Sequence, residues 1–294
     1  MMRTPAQHRK GIALIVGACL CWASAGVLVR NMEVHDGWKI TFWRSFFMTF
    51  LLLSVISFQH GRRLPERMRA MGWPGIVTGL LFALMFICFI LAISTTTVAN
   101  TLVLGSVSPF VAALFGRIFL HEAVLPRTWI AMTTALGGIV VMFFDSITGG
   151  GWTGNLIALC IPIAFATSVV ILRKYRAEAD MIPSIFLAGI FSMFITLPFA
   201  LPLSVSSGDF GLLVTMGVVQ LGLGLMLFML AVPHLSAAEV TLLSVLEIIF
   251  GVGSTWILIG ERPGDAALAG GGIVIGALVL DQMAGLRKAQ AATP

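Results

Sequence analysis

Residues 89–104 read FILAISTTTVANTLVL, and residues 228–243 read FMLAVPHLSAAEVTLL. A shift of 139 residues brings the two stretches into register and pairs identical residues at five positions. These pairs are Phe89/Phe228, Leu91/Leu230, Ala92/Ala231, Ala99/Ala238 and Leu104/Leu243. The same register continues without a gap over residues 72–140 and 211–279, where it also pairs Glu122 with Glu261. An internal repeat of this kind predicts a chain that folds as two similar halves.

Long apolar runs dominate both halves. The 294-residue chain is 58% hydrophobic and 11% charged, whereas soluble domains are about 45–50% apolar and about 25% charged. A helix needs roughly 20 apolar residues to cross the hydrocarbon core of a bilayer. Ten runs approach that length: 11–30, 38–58, 72–93, 97–119, 128–145, 154–172, 182–203, 210–232, 237–258 and 265–284. They lack the two-residue alternation of membrane β-strands, so the sequence predicts an all-α membrane protein with ten transmembrane helices.

The repeat divides these helices into two sets of five. The first run matches the sixth with a shift of 143 residues, which pairs Arg30 with Arg173. Because five is odd, two consecutive five-helix repeats enter the membrane from opposite sides. The sequence therefore predicts an N-terminal repeat over residues 1–148 and an inverted C-terminal repeat over residues 149–294, with no soluble domain. Inverted repeats support alternating access, in which a central cavity opens to each side in turn.

Lysine and arginine indicate the orientation, because cytoplasmic loops of membrane proteins carry an excess of both. If the N-terminus is cytoplasmic, fourteen of the eighteen Lys and Arg residues fall on the cytoplasmic side. Arg30, Lys39 and Arg262 then fall outside, and Arg44 lies within the second run. Both termini are therefore predicted to be cytoplasmic.

Several classes of function are excluded by what the sequence lacks. It has no P-loop, no dinucleotide-binding glycine motif and no HExxH motif, so neither a cofactor nor direct use of ATP is predicted. The five histidines lie at or beyond the ends of the apolar runs, which predicts neither a metal site nor a catalytic set. The four cysteines lie within apolar runs and are interpreted as small hydrophobic residues. The net charge of +5 follows the loops and does not indicate nucleic-acid binding.

Three stretches of the chain resemble the drug/metabolite transporter superfamily, in its ten-helix EamA branch. They are CWAS (21–24), SVSPF (106–110) running to HE (121–122), and LEI (246–248) running to GE (260–261). Family members commonly have a proline where this chain has Ile248. The resemblance implies export of small metabolites, typically amino acids, through the bacterial inner membrane. Within the family, the chain is most similar to exporters that accept aromatic amino acids.

Polar groups inside a membrane are costly and usually functional, and they supply most of the candidate substrate-binding residues. Glu247 lies midway along the ninth run. Two interpretations of it stay open: a group that binds a substrate ammonium or carries a proton, and a neutral acid hydrogen-bonded to a neighbouring helix. The candidates are Trp22, Ser24, Phe82, Phe86, Asn100, Ser108, Ser168, Gln220, Ser244 and Glu247.

Structural roles compete with substrate binding at most of these positions. Trp22 either contacts the substrate pathway or packs in the core. Asn100 is expected to cap the fourth helix, and Ser168, Ser244 and Gln220 to bond to neighbouring helices. The phenylalanine candidates are expected to pack or to face lipid.

Three charged residues are interpreted as structural. Arg44 lies about 9 Å deep, where it either pairs with a carboxylate of the substrate or the protein or snorkels to the outer surface, and snorkelling is the expected role. Glu122 and Glu261 are expected to cap the following helix or to tie a hairpin to its neighbours.

The sequence as a whole predicts a secondary exporter of amino acids and related small metabolites, facilitative or proton-coupled. Its partners are then a small-molecule substrate and the lipid bilayer. The alternative is multidrug efflux of apolar cations, with Glu247 neutralising the cargo. A monomer is expected, with a homodimer through Gly272 and Gly276 as the other arrangement.

Overall fold

The computed structural model describes residues 5–60, 71–149, 151–175, 181–235 and 237–291. The regular elements in these ranges are helical, as the sequence predicts. The α-helices are α1 (Pro5–Arg30), α2 (Gly37–His60), α3 (Gly72–Thr95), α4 (Val98–Gly105), α5 (Ser108–Phe119), α6 (Pro126–Gly149), α7 (Trp152–Lys174), α8 (Met181–Ala200), α9 (Ser207–Thr215), α10 (Gly224–Ala231), α11 (Ala237–Ile259) and α12 (Asp265–Ala291). A π-helical segment, Met216–Leu223, joins α9 to α10, and a 3-10 turn, Val232–His234, follows α10.

In the described ranges these helices form ten spans, which we number in chain order. The fourth span consists of α4 and α5, and the eighth of α9, the π segment and α10. Among the described residues, eight helical stretches are long and apolar enough to cross a membrane, and Leu243–Ile259 within α11 is a shorter apolar stretch. The protein is therefore a multi-pass membrane protein.

The fourth span is broken where the sequence predicts one continuous run. The first helix of the span, α4, ends at Gly105, and α5 begins at Ser108, one residue before Pro109. Proline has no N–H group and its ring clashes with the carbonyl group four residues earlier, so Pro109 fits the first turn of α5 but cannot continue α4, which explains the break. The hydroxyl of Ser106 donates to the carbonyl oxygen of Val103 at 2.7 Å and so satisfies one acceptor near the end of α4.

The eighth span contains the π-helical segment, whereas residues 77–84, which lie 139 positions earlier, are regular α-helix. Gly217 of the segment lies against the backbone of α2. A Cβ atom at Gly217 would lie 2.7 Å from the carbonyl oxygen of Arg44 and 3.0 Å from the backbone nitrogen of Met48. The glycine therefore lets the eighth span pack directly on the second span at Arg44.

The spans pack in pairs that recur between the two halves of the chain. The first span packs on the eighth and ninth, and the sixth packs on the third and fourth. The second span packs on the eighth, and the seventh packs on the third. The second span also packs on the seventh, and the fifth on the tenth. Exchanging each of these spans with the one five positions away reproduces the same neighbours.

The turns that end the fourth and ninth spans have the same backbone shape. His121 and Gly260 lie 139 positions apart, and both have positive φ angles, of 57° and 78°. The residues that follow, Glu122 and Glu261, donate their N–H groups to carbonyl oxygens six residues earlier, at 3.2 and 3.3 Å. Equivalent positions of the two halves therefore end their helices alike.

Candidate functional site

Arg44 is buried inside the helix bundle, and the prediction that it snorkels to the surface is wrong. Its exposed fraction is 1%, and Ile40 and Met48, one turn away on the same face of α2, are both 0% exposed. The guanidinium carbon of Arg44 lies 5.6 Å from the ring centroid of Phe86 and 5.7 Å from that of Phe89, both on α3. The side chain points inward because it lies on the face of α2 that packs against the other spans.

Two nitrogen atoms of the Arg44 guanidinium group lack hydrogen-bond partners among the described residues. In the described part of the chain, Nε and Nη1 of Arg44 are buried and have no acceptor within hydrogen-bond distance. Each ring contact contributes about 2 kcal/mol or more where water is excluded, but the rings accept no conventional hydrogen bond from these groups. A buried N–H group without an acceptor costs about 1–3 kcal/mol, and more when it is charged.

Gln220 is a second buried polar side chain of this region. It belongs to the π segment and is 2% exposed. Its Oε1 atom has no donor within hydrogen-bond distance among the described residues. Segments of π-helix occur frequently at functional sites. The second and eighth spans, which pack on each other, thus each contribute at least one polar side chain with unsatisfied hydrogen-bonding groups.

Glu247 faces the first span from the middle of α11. Leu243, Glu247 and Gly251 are spaced four residues apart and therefore share one face of α11. The carbonyl oxygen of Leu243 accepts a hydrogen bond from the thiol of Cys19 at 3.6 Å. A Cβ atom at Gly251 would lie 3.7 Å from the Cα atom of Ala23. Glu247 is half-buried between these two contacts.

Trp22 lies at the level of Glu247 on α1 and belongs to an aromatic pair. Its ring centroid is 5.4 Å from that of Phe228 on α10. Gly224, one turn before Phe228, permits this approach because a Cβ atom there would overlap the indole. Trp22, Phe228 and Glu247 thus come from the first, eighth and ninth spans to one level of the bundle. We call these three residues the Trp22–Glu247 site.

The hydroxyl groups of the four candidate serines bond within their own helices or turns. Ser24, Ser108, Ser168 and Ser244 donate to the carbonyl oxygens of Cys21, Gly105, Ala164 and Val240, at 2.6, 2.5, 2.9 and 2.8 Å. Ser168 and Ser244 were expected to bond to neighbouring helices. The hydrogen bonds that their hydroxyl groups donate stay within their own helices instead. In apolar surroundings a hydroxyl group can donate its hydrogen bond to the carbonyl oxygen one turn earlier in the helix. Its oxygen can still accept a hydrogen bond from a cargo molecule.

Phe82 and Phe86 lie in the interior of the bundle. Their exposed fractions are 6% and 3%, and both belong to one apolar cluster with Met48 and Leu221. Of the two expectations for these rings, packing is therefore the one that the structure supports. Phe86 also lies next to the guanidinium group of Arg44.

Asn100 binds a neighbouring span and does not cap its own helix. The cap of α4 is Thr97, whose Oγ1 atom accepts the N–H of Asn100 at 3.1 Å. The Nδ2 group of Asn100 donates to Oδ1 of Asn155 on α7 at 3.2 Å. The hydroxyl of Thr96 donates to the same oxygen at 2.9 Å. Asn100 therefore joins the fourth span to the sixth.

Charged groups tie several spans together where α1 ends. Arg30 Nε donates to Oε2 of Glu261 at 2.6 Å, and its Nη2 donates to the carbonyl oxygen of Thr96 at 3.0 Å. Oε1 of Glu261 accepts the N–H of Val98, the first residue of α4, at 2.8 Å. The expectation that Glu261 ties its hairpin to neighbouring helices is confirmed. We call Arg30, Thr96, Val98 and Glu261 the Arg30 cluster.

A small cavity lies where α1 begins. Nε2 of His8 is 2.8 Å from Oε1 of Glu239 in the first turn of α11. The cavity has a volume of about 140 Å³ and is lined by His8, Ile12, Leu235, Glu239 and Leu243. Glu239 lies 139 positions after Asn100, so the two residues are equivalent positions of the two halves.

The chemistry that these groups offer is binding by charge, hydrogen bonds and aromatic packing. Within the described ranges, no group of three or more His, Cys, Asp or Glu side chains could hold a metal ion. Cys19, Cys21, Cys88 and Cys160 are free thiols.

The model of the EamA-like transporter family matches residues 9–144 and residues 152–280. The chain belongs to this family. Family membership confirms the resemblance seen in the sequence and identifies the protein as a member of a transporter family. The gap between the two matches includes the boundary predicted between residues 148 and 149.

Named relatives are similar over most of their length. The pseudopaline exporter of Pseudomonas aeruginosa is 26% identical over 280 residues, which cover 92% of this chain and 95% of the relative. The S-adenosylmethionine uptake transporter of Rickettsia felis is 22% identical, covering 81% of this chain and 80% of the relative. A solved crystal structure has the same fold, with a TM-score of 0.64 and 17% identity, over 95% of this chain and 98% of that one.

Proposed function

We propose that this protein is a secondary transporter that exports amino acids, including aromatic and other apolar ones, and related small metabolites. It works across the bacterial inner membrane by alternating access, facilitative or proton-coupled. The observation that carries the proposal is the Trp22–Glu247 site, in which a carboxyl group and two aromatic rings lie at one level of the bundle. A carboxylate attracts an ammonium group and aromatic rings pack apolar side chains, and an apolar amino acid carries both.

Alternating access follows from two inverted five-helix repeats, residues 1–148 and 149–294, with both termini in the cytoplasm. Three observations support this topology. The family model matches the two halves separately, the spans keep their neighbours when the halves are exchanged, and the turns at His121 and Gly260 share one shape. Halves that are alike but oppositely oriented can exchange conformations and so expose a central cavity to either side.

Each residue of the site has a role in this proposal. Glu247 binds the cargo ammonium, and Trp22 with Phe228 packs against the cargo side chain. Ser244, three residues before Glu247 on α11, accepts a hydrogen bond from the cargo.

The named functions of the relatives support a small-metabolite cargo and leave two directions to compare. One relative is named as an exporter and another as an uptake transporter. Export is the direction that we propose, and it matches the relative with the higher identity of these two.

Multidrug efflux of apolar cations is the second candidate, and Glu247 is the observation that favours it. A carboxylate at the same level of the bundle as two aromatic rings also suits a lipophilic cation. Arg44 weighs against this candidate, because a buried cation repels a cationic cargo at low dielectric.

Purified protein in liposomes tests the proposal. We expect it to exchange labelled phenylalanine, methionine or threonine, and to leave tetraphenylphosphonium in place. Movement of tetraphenylphosphonium without amino acids would instead support multidrug efflux. If neither amino acids nor lipophilic cations move, the proposed function is wrong.

A further inference from the structure

We infer that Arg44 binds the carboxylate of the cargo, so that the protein selects small molecules that carry a carboxylate group. The inference rests on the proposed function and names a second recognition point, on α2, apart from the Trp22–Glu247 site. It starts from a 1%-exposed arginine whose Nε and Nη1 groups have no acceptor in the described part of the chain. A buried cation is costly, and an anion that pairs with it compensates this cost.

The acidic groups with described partners are engaged away from Arg44. Asp209 accepts the N–H groups of Glu33 and Val34, each at 2.9 Å. Four other carboxylates also have partners: Glu239 pairs with His8, Glu261 with Arg30, Asp265 with Arg262, and Asp281 accepts the hydroxyl of Thr128. Glu247 faces α1 at the level of Cys19 and makes no ion pair with Arg44. The protein's own carboxylates in the described ranges therefore leave these N–H groups to another acceptor.

The surroundings of Arg44 fit a carboxylate. A guanidinium group presents parallel N–H donors that match the two oxygens of a carboxylate. Phe86 and Phe89 lie within 5.7 Å of the guanidinium carbon and are apolar. Apolar walls exclude water, and a charge-assisted hydrogen bond is stronger where water is excluded.

The π segment supplies the other polar group of this region. Gly217 brings the eighth span against the backbone of Arg44, and Gln220 follows three residues later with an unsatisfied Oε1 atom. An amide oxygen accepts the N–H or O–H groups of a cargo whose carboxylate is held by Arg44. The donors of Arg44 and the acceptor of Gln220 are thus complementary to a cargo that has both kinds of group.

The test compares each amino acid with its own carboxamide, which keeps the ammonium and the side chain but lacks the carboxylate. Exchange is measured in proteoliposomes for phenylalanine, methionine and threonine, with each carboxamide as competitor. We expect the wild-type protein to prefer each transported acid over its carboxamide by about tenfold or more. Equal competition by acids and carboxamides would overturn the role of Arg44 while the proposed function stands. Failure to move any of the three acids would overturn the proposed function, and this inference with it.

Substitution of Arg44 assigns the preference to this residue. Arg44→Gln is expected to abolish the preference for acids and to leave exchange of the carboxamides, and Arg44→Lys to retain part of it. The control is Arg262→Gln, because Arg262 is exposed and pairs with Asp265, the first residue of α12. Equal loss of acid and carboxamide exchange in both Arg44 variants would show a structural partner within the protein and would overturn the inference. If the Arg44 variants do not fold, the wild-type comparison decides.

Discussion

Arg44 and Glu247 are side chains of opposite charge that lie inside the bundle, and they come from different halves of the chain. Arg44 belongs to the second span and Glu247 to the ninth. They do not neutralise each other, because Nε and Nη1 of Arg44 have no acceptor, Glu247 included, in the described part of the chain. Isolated charges inside a membrane protein are costly, so their presence favours a cargo that carries both signs.

Substitution of Glu247 tests the residue that is proposed to bind the ammonium group. Glu247→Gln keeps the shape of the side chain and removes its charge. We expect KM for phenylalanine exchange to rise about tenfold or more, because a hydrogen bond to a charged group contributes about 1.5–3 kcal/mol. The measurement is the concentration dependence of exchange in proteoliposomes, with Asp265→Asn at an exposed position as control. Unchanged exchange together with loss of pH-driven accumulation would show that Glu247 carries a proton instead.

A glycine supports the aromatic pair of the site. Gly224→Ala places a Cβ atom into the indole of Trp22, and overpacking of this kind costs about 1–3 kcal/mol. We expect a lower thermal unfolding midpoint in detergent, together with slower exchange. Gly272→Ala is the matched control, since a Cβ atom there meets no other atom within 4 Å. Equal midpoints for the two variants would contradict the close contact between Gly224 and Trp22.

At the scale of single residues, the sequence predicts which residues lie within a span better than it predicts which way their side chains point. It shows that Arg44 lies within the second run, but the distance from the end of a run does not tell which way a side chain points. The face that Arg44 shares with Ile40 and Met48 indicates burial in retrospect. The i, i+4 spacing of these residues was the available signal. The contact of Asn100 with Asn155 joins positions 55 residues apart and has no local signature.

At the element scale, helices follow from length and apolar content, whereas interruptions within them follow from finer causes. Pro109 was a visible signal for the break between α4 and α5. The π segment had a weaker one, because MGVVQLGL is an apolar stretch like others in the chain. Its form accompanies the close packing of Gly217 on α2, a tertiary contact that the sequence does not reveal.

At the scale of elements, the Arg30 cluster joins the ends of the first and ninth spans to the start of the fourth span. The Arg30–Glu261 pair has side-chain exposed fractions of 28% and 17%, so water screens it only in part. We expect Arg30→Ala and Glu261→Gln each to lower the thermal unfolding midpoint. The midpoint of the double variant should be no lower than that of the less stable single variant, because both substitutions remove the same interaction. The Arg262–Asp265 pair, exposed at 67% and 90%, is the control and should give no such coupling. Strictly additive decreases of the midpoint for Arg30→Ala and Glu261→Gln would contradict the coupling of these two residues.

At the scale of the whole molecule, the repeat in the sequence and the packing of the spans agree. A register of 139 residues pairs positions such as His121 and Gly260, whose backbones then adopt the same shape. The sequence supported this level best, because apolar periodicity and internal similarity extend over many residues and average out local exceptions. It did not reveal which of its polar side chains would meet, since contacts between distant spans depend on their rotation and tilt.

The central claim is that a site between the two halves opens to each side of the membrane in turn. Ser244→Cys tests it in a chain whose four native cysteines are replaced by alanine, because Ser244 is half-buried and lies one turn from Glu247. The measurement is labelling of this thiol by a membrane-impermeant maleimide, applied from each side in intact cells and in inverted vesicles. The account predicts labelling from both sides, with protection by a transported amino acid. Labelling from one side alone, under every condition of cargo and gradient, would contradict alternating access.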